Sequence, residues 1–185
     1  MKNLILILLT ALTLSCCDKD DDKSSDQLPP ATTAGANTAG CLVNGQVFLP
    51  KGSSQFGPIL SCFYQYDQGG YHLGLGIADK RNGNIKAVNI SLNPNPLTEN
   101  TTYHLVAIVN GSANYNSNFG EYTIYSNTTN DNKFTTTNIY IGELKITKLD
   151  TQQKIISGTF WYDAINNNGE KVEIRDGRFD MRYVN

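Results

Sequence analysis

The chain has 185 residues and a formal net charge of −2. This length suits one domain with a substantial core. The slightly acidic charge argues against a nucleic-acid partner, which requires a basic face. Asparagine, threonine, tyrosine and glycine are plentiful in the sequence, and this mixture favours strands and turns over helices.

The first fifteen residues, 1–15, predict a secretory signal peptide. Lys2 provides a positive start, and residues 4–14 form an apolar run that only Thr10 and Thr13 interrupt. The run is too short to span a bilayer, which needs ~20 apolar residues. A charged start, a short apolar core and a small residue before the cleavage site are features of a signal peptide.

The predicted cleavage site ends on a cysteine. The segment LTLSC, ending at Cys16, resembles the lipobox of bacterial lipoproteins, in which the cysteine receives a diacylglycerol and becomes the first mature residue. Cys16 is the favoured lipidation site because the small Ser15 then precedes the cut, and Cys17 is the alternative. Each buried CH₂ of an acyl chain contributes ~0.8 kcal/mol. We therefore expect a lipid anchor in the membrane and no transmembrane helix.

Residues 16–40 predict a flexible acidic and proline-containing tether. The run DKDDD at 18–22 and the two prolines at 29 and 30 lie in a stretch too poor in apolar side chains to fold alone. Lysine and acidic residues after the lipidated cysteine resemble the export signal of Bacteroidota lipoproteins, and this match fits slightly better with Cys17. It implies an outer-membrane lipoprotein exposed at the cell surface, with a periplasm-facing position as the alternative.

Residues 41–185 predict a single all-β domain. No segment has the apolar period of a helix, so we expect no substantial helix after the signal peptide. About ten strands with regular turn signals favour an antiparallel meander, either a β-sandwich or a flattened barrel of lipocalin or streptavidin type. The predicted strands are 42–43, 47–49, 59–66, 71–77, 85–92, 101–109, 119–126, 139–149, 154–164 and 171–184.

Local sequence patterns predict turns, a bulge and side-chain orientations in and between these strands. Asn44-Gly45 predicts a type I′ hairpin turn, and the run 101–109, apolar on both faces, predicts a central strand. Asp176-Gly177 predicts a β-bulge, with a new hairpin as the alternative. In strand 154–164, alternation places Trp161 outside and the even-numbered residues 156–164 in the core. The glycines of strand 71–77 predict a closely packed aromatic ring, with approach of a ligand as the alternative.

Cys41 and Cys62 lie in the folded part of an exported chain, where disulfides form. A bridge between them closes a loop of about twenty residues, worth ~3 kcal/mol in the chain-entropy model. We expect this disulfide, and two buried thiols are the alternative.

Four short motifs carry a resemblance to a known family. They are VNG at 43–45, ITKLD at 146–150, ISGTF at 156–160 and GRFD at 177–180. Together they resemble a family of uncharacterised Bacteroidota lipoproteins, described as a domain of unknown function. The resemblance implies turn, bulge and core roles for these residues and supplies no activity or site residue.

The sequence contains no recognisable catalytic or metal-binding motif. His72 and His104 both lie in predicted strands without metal-ligand spacing, and no nucleophile or phosphate-loop motif is present. We therefore expect no metal and no cofactor, and favour a non-catalytic binding or interaction domain. The alternative is a carbohydrate-active or other hydrolytic surface lipoprotein, which needs two converging carboxylates. The carboxylate candidates are Glu143, Asp163, Glu170, Glu173 and Asp180.

Aromatic side chains on an outer face are the candidate binding residues. Trp161 is the single tryptophan of the chain, and Tyr115, Tyr125 and Tyr140 are predicted to join it. Such rings stack on sugars or pack against a protein partner. The predicted partners are accordingly the membrane, through the anchor, and a glycan or a protein.

Overall fold

The computed structural model describes residues 27–53, 57–67, 69–81, 85–93, 96–107, 117–125 and 132–185. The predicted signal peptide, the anchor cysteines Cys16 and Cys17, and Tyr115 lie outside these residues. The described residues contain eleven strands and no α-helix, which confirms the predicted all-β class. The strands are β1 (Thr38–Val43), β2 (Gln46–Phe48), β3 (Leu60–Asp67), β4 (Gly70–Asp79), β5 (Ile85–Leu92), β6 (Thr102–Leu105), β7 (Phe119–Tyr125), β8 (Asn132–Thr135), β9 (Gly142–Asp150), β10 (Ile155–Ile165) and β11 (Lys171–Arg182).

The strands form one antiparallel sheet that curls towards a barrel. Its order is β2-β1-β11-β10-β8-β7-β5-β4-β3, and β9 also pairs with β10 and carries β6. The outer edge of β3 bonds to Val184, two residues beyond the end of β11. Tyr64 N–H donates to Val184 O at 2.9 Å, and Val184 N–H donates to Cys62 O at 3.0 Å. The sheet is curled like a half-barrel, which is consistent with both predicted forms, the β-sandwich and the flattened barrel.

The concave side of the sheet holds the core, with the alternation predicted for β10. Ile156, Phe160, Tyr162 and Ala164 are all buried, and the Tyr162 hydroxyl donates to the carbonyl oxygen of Glu121 at 2.7 Å. Alternation along a strand sends the intervening residues to the convex side. This parity places Trp161 on the outside.

Glycine in β4 gives space to an aromatic ring. A Cβ added to Gly74 would lie only 2.1 Å from a ring carbon of Phe63 on the neighbouring strand. The predicted close-packed aromatic is therefore confirmed at this position.

The predicted turn and bulge are both present. Asn44 and Gly45 have φ values of 49° and 79°, which suits the type I′ turn between β1 and β2. In the β10–β11 ladder, Phe160 pairs with Gly177 but Tyr162 pairs with Ile174. Three steps on β11 thus match two on β10, which is a β-bulge.

Two strand predictions were incomplete. Within residues 101–107, the described part of the predicted run 101–109, the strand is the short β6, which pairs with β9 among the described strands and is an edge strand rather than a central one. Thr102 and His104 are exposed, so one face of β6 remains polar. β8 was not predicted from the sequence, since Phe134 is its one buried residue and the other three residues are polar.

The expected disulfide is wrong, because Cys41 and Cys62 are buried free thiols. Cys41 pairs with Phe48 in the β1–β2 ladder, whereas Cys62 pairs with Leu75 in the β3–β4 ladder. The two strands occupy different positions in the curled sheet and are not neighbours. Burial raises the pKa of each thiol to about 12, so both stay protonated at neutral pH.

An N-terminal arm, residues 27–37, packs on the sheet where the sequence analysis expects flexible tether. The Asp180 carboxylate accepts hydrogen bonds from Thr32 Oγ1 at 2.6 Å and from three backbone N–H groups at 34–36 at 2.7–3.2 Å. Ser157 Oγ on β10 donates to the same carboxylate at 2.8 Å. The ordered domain thus begins before residue 38, where β1 starts.

Candidate ligand-binding face

The convex side of β6, β9, β10 and β11 presents two rows of side chains. In the first row, Trp161 pairs with Glu143 on β9, and Glu143 pairs with His104 on β6. Paired residues on adjacent strands project on the same side of a sheet. The tryptophan therefore has a carboxylate and an imidazole beside it along one line.

The second row lies one pleat away. Thr159 pairs with Lys145 on β9 and with Arg178 on β11, and Lys145 pairs with Thr102 on β6. A hydroxyl group thus lies between two cations, one on each neighbouring strand. We call the surface formed by both rows, together with Arg175 and Asp176, the Trp161 face.

The indole of Trp161 is fixed from two directions. Its Nε1–H donates to Glu143 Oε2 at 3.3 Å, and the Arg175 guanidinium carbon lies 5.5 Å from the ring centroid in cation–π geometry. The side chain is half-buried. It is a supported platform that still contacts solvent.

Arg175 is itself held in place by the β-bulge region. Its guanidinium donates to the carbonyl oxygens of Tyr162 and Ile174 at 3.1 and 2.9 Å and pairs with Asp163 at 2.5 Å. Burial alone would raise the pKa of Asp163, but hydrogen bonds from Arg175 and Lys171 lower it overall. Asp163 remains ionised at neutral pH and neutralises Arg175.

A groove of about 600 Å³ lies over the Trp161 face and is open to solvent. Cationic and acidic groups line it, namely Lys145, Arg175, Arg178, Glu143 and Asp176, and Ala31 of the N-terminal arm also lines it. Among the described residues, neither Lys145 nor Arg178 forms an ion pair with a carboxylate. These two side chains can therefore bind an anionic group, although Glu143 and Asp176 place two carboxylates in the same groove.

Tyr140 does not line the groove but is connected to Trp161 through three charged side chains. Lys171 Nζ lies 6.0 Å above the Tyr140 ring and 3.2 Å from Asp163, which binds Arg175 beside Trp161. Tyr140 therefore belongs to the same convex side. Tyr125 is exposed at the end of β7 and lines a different groove, of about 310 Å³.

The histidines do not assemble a metal site. His104 Nδ1 lies 3.8 Å from Glu143, and the buried His72 bonds through Nδ1 to Asn93 Oδ1 at 2.5 Å and through Nε2 to Asp67 O at 2.9 Å. Across the described ranges, no group of three or more potential ligands could hold a metal ion.

Most of the carboxylate candidates have structural partners. Asp180 holds the arm, Asp163 binds Arg175, Glu170 accepts from Asn166 at 2.6 Å, and Glu173 pairs with Lys171 at 2.9 Å. Glu143 is the member of this set that lines the groove. Asp176, which is outside this set, is a second carboxylate that lines the groove.

A second aromatic site was missed by the sequence analysis. Tyr64, Tyr66, Tyr71 and Tyr183 line an open pocket of about 580 Å³ at one end of the β3–β4 hairpin. We call it the tyrosine pocket. The sequence signal was the spacing of Tyr64 and Tyr66, which share one face of β3, and the hairpin register that sets Tyr71 opposite Tyr66.

Comparison with known protein families identifies the family of this chain. A model of the domain of unknown function DUF6252 matches residues 65–181, more than half of the chain. The chain belongs to the DUF6252 family. The DUF6252 match includes the ITKLD, ISGTF and GRFD motifs, whereas the VNG hairpin at 43–45 lies before it. No curated protein and no solved structure matches the chain.

The DUF6252 match also spans the Trp161 face, since β6, β9 and β10 lie within it and β11 ends one residue beyond it. The family description assigns no activity to these residues. Within the residues that the structure describes, no helix is long and apolar enough to cross a membrane.

Proposed function

We propose that this protein is an outer-membrane lipoprotein of the Bacteroidota type that binds an acidic glycan on its Trp161 face. The anchor part of the proposal rests on the lipobox at Cys16 and on the acidic run that follows it. The binding part rests on the combination of one stacking platform with two available cations in a single open groove.

The spacing of these groups suits a sugar chain. Lys145 and Arg178 lie on the strands either side of β10, so their backbones are about 10 Å apart, twice the usual strand spacing. A sugar ring can stack its C–H face on the Trp161 indole. A carboxylate, sulfate or phosphate on the same or the next sugar can then accept charge-assisted hydrogen bonds from Lys145 or Arg178.

The length of chain between Cys16 and the N-terminal arm limits how far the Trp161 face can lie from the membrane. Ala31 lines the groove, and an extended chain covers at most about 3.5 Å per residue, so lipidated Cys16 would keep the Trp161 face within roughly 50 Å of the bilayer. Glycans at the cell envelope are therefore within reach of the domain.

A glycan array printed with acidic and neutral glycans tests the binding function on the purified lipoprotein in detergent. We expect acidic glycans to bind, and both Trp161→Ala and Lys145→Ala to reduce the signal. Tyr125→Ala is the matched control, since it removes an exposed aromatic from another groove. Unchanged acidic-glycan binding in Trp161→Ala contradicts the proposal, and cleavage of the bound glycan favours the hydrolytic alternative.

The anchor has its own test. We expect Cys16→Ala to move the protein from the membrane fraction to the soluble fraction and Cys17→Ala to leave it in the membrane. The reverse result would assign the lipid to Cys17, and membrane retention of both variants would contradict the lipobox. Protease accessibility on intact cells then separates the surface-exposed position from the periplasm-facing one.

A further inference from the structure

The rings of the tyrosine pocket form a continuous wall. Tyr66 and Tyr71 are a cross-strand pair, with centroids 5.1 Å apart and ring planes at 68°. Tyr71 stacks on Tyr64 at 5.4 Å and 23°, and Tyr64 meets Tyr183 edge-on at 5.6 Å and 82°. Each ring orients the next, so the wall has a defined shape without a ligand.

Exposure increases along this wall from the core to solvent. Tyr64 and Tyr183 are 7% and 6% exposed, whereas Tyr71 is 36% and Tyr66 65% exposed. The inner end is anchored, because the Tyr64 hydroxyl accepts a hydrogen bond from Leu97 N–H at 3.0 Å. The outer two rings therefore present apolar surface to water from a rigid base.

Polar groups complete the pocket. The polar residues that line it together with the tyrosines are Gln65, Asp67, Thr151, Lys154 and Asn185. Burial raises the pKa of Tyr64 and of Tyr183, so their hydroxyls stay protonated at neutral pH. The side chains of Asp67 and Lys154 contribute one charge of each sign to the pocket. The two sites share no lining residue.

We propose that the tyrosine pocket binds a sugar ring of a neutral oligosaccharide. A pyranose combines an apolar C–H face with a rim of hydroxyl groups, and the pocket combines exposed ring surface with amide, carboxylate and ammonium groups. Its volume of about 580 Å³ is within the range of small-molecule sites, which often lie at the mouths of curled sheets. This site is independent of the function proposed for the Trp161 face.

The competing explanation is that Tyr66 and Tyr71 only stabilise the hairpin as a cross-strand pair. Tyr66→Ala and Tyr66→Leu distinguish the two, because leucine keeps apolar cover on the hairpin but removes the flat ring. Tyr125→Ala removes an exposed tyrosine elsewhere and is the control. Thermal unfolding of each variant confirms that it is folded.

The full lipoprotein in detergent is first screened on the glycan array and then titrated with the best neutral oligosaccharide by calorimetry. We expect about tenfold weaker binding in Tyr66→Ala and Tyr66→Leu, since a lost aromatic contact is worth about that much. Tyr125→Ala and Trp161→Ala should bind the neutral sugar as the wild type does.

Two results overturn the proposal: no neutral glycan bound on the array, or a Tyr66→Leu affinity within twofold of the wild type. Loss of neutral binding in Trp161→Ala alone would assign the neutral sugar to the Trp161 face instead and would also overturn it. Failure of acidic-glycan binding would leave the neutral-sugar result unaffected, so this proposal and the proposed function fail separately.

Discussion

Asp180 is the residue whose replacement we expect to affect the fold most. Its carboxylate is 1% exposed and accepts five hydrogen bonds, four from the N-terminal arm and one from Ser157. Asp180→Ala leaves these donors without their acceptor. Hydrogen bonds to a charged group contribute about 1.5–3 kcal/mol each but are not additive, and the donors left behind are neutral hydroxyl and N–H groups, so we expect a loss of about 3 kcal/mol.

The pH dependence of the unfolding free energy gives a second measure of the contribution of Asp180. Burial by itself raises the pKa of Asp180, but hydrogen bonds from Thr32, Ser157 and the backbone at Gly35 and Ala34 lower it to about 2 from an ordinary value of 3.8. A folded-state pKa below the unfolded one stabilises the fold at higher pH. The contribution, about 2 kcal/mol, is complete above about pH 5 and is lost as the pH falls to about 2.

Urea denaturation of the wild type and Asp180→Ala at a series of pH values tests both the loss of stability and its pH dependence. We expect the difference in unfolding free energy between the two proteins to shrink by about 2 kcal/mol between pH 5 and pH 2. Asp67→Ala removes an exposed carboxylate and should stay within about 0.5 kcal/mol of the wild type. Hydrogen exchange should also show lost protection at the amides of residues 34–36. Unchanged protection there, or a constant free-energy difference across pH, would refute the account of the arm.

Two further predictions concern packing and thiols. Gly74→Ala should destabilise the domain by about 1 kcal/mol, because its Cβ would overlap the Phe63 ring and this ring, which is 39% exposed, would have to rotate away; an unchanged denaturation midpoint in urea would contradict this packing. Cys41 and Cys62 should resist iodoacetamide in the native protein and become alkylated after unfolding, since both are buried with a pKa of about 12. A disulfide-linked peptide pair in a non-reduced digest would show instead that the two cysteines are bridged.

Local sequence signals predicted the parts of the fold that depend on neighbouring residues. Asn44 and Gly45 specify their turn through backbone conformation, and the alternation of β10 specifies which residues are buried. The buried positions of β11 change from one alternation to the other along the strand, and this change requires one extra residue. The extra residue is accommodated at Asp176, which has a φ of 51°. In each case the cause lies within a few residues of the effect.

Features that depend on distant residues could not be predicted in this way. The arm from Thr32 to Ala36 has no apolar period, and it is ordered by Asp180, which lies about 145 residues further along the chain. The Cys41–Cys62 disulfide failed for the same reason, since exported location makes a bridge possible but strand order decides whether two thiols meet.

In the candidate site, too, local sequence predicted some features, whereas others depend on residues far apart in the chain. Parity within β10 predicted that Trp161 faces outward, and the structure places it in the groove. Lys145 and Arg178 became relevant only through the register of β9 and β11 against β10. The tyrosine pocket likewise required the return of the chain at Tyr183 to the β3–β4 hairpin.

The central claim is that Trp161 and its flanking cations bind an acidic glycan. The direct measurement is the dissociation constant for the best acidic glycan from the array, determined for the wild type, Trp161→Ala, Lys145→Ala and Tyr125→Ala at low and high salt. We predict about tenfold or greater weakening in the first two variants, a reduced salt dependence in Lys145→Ala, and no change in Tyr125→Ala. Equal affinities in the wild type and Trp161→Ala would contradict the claim.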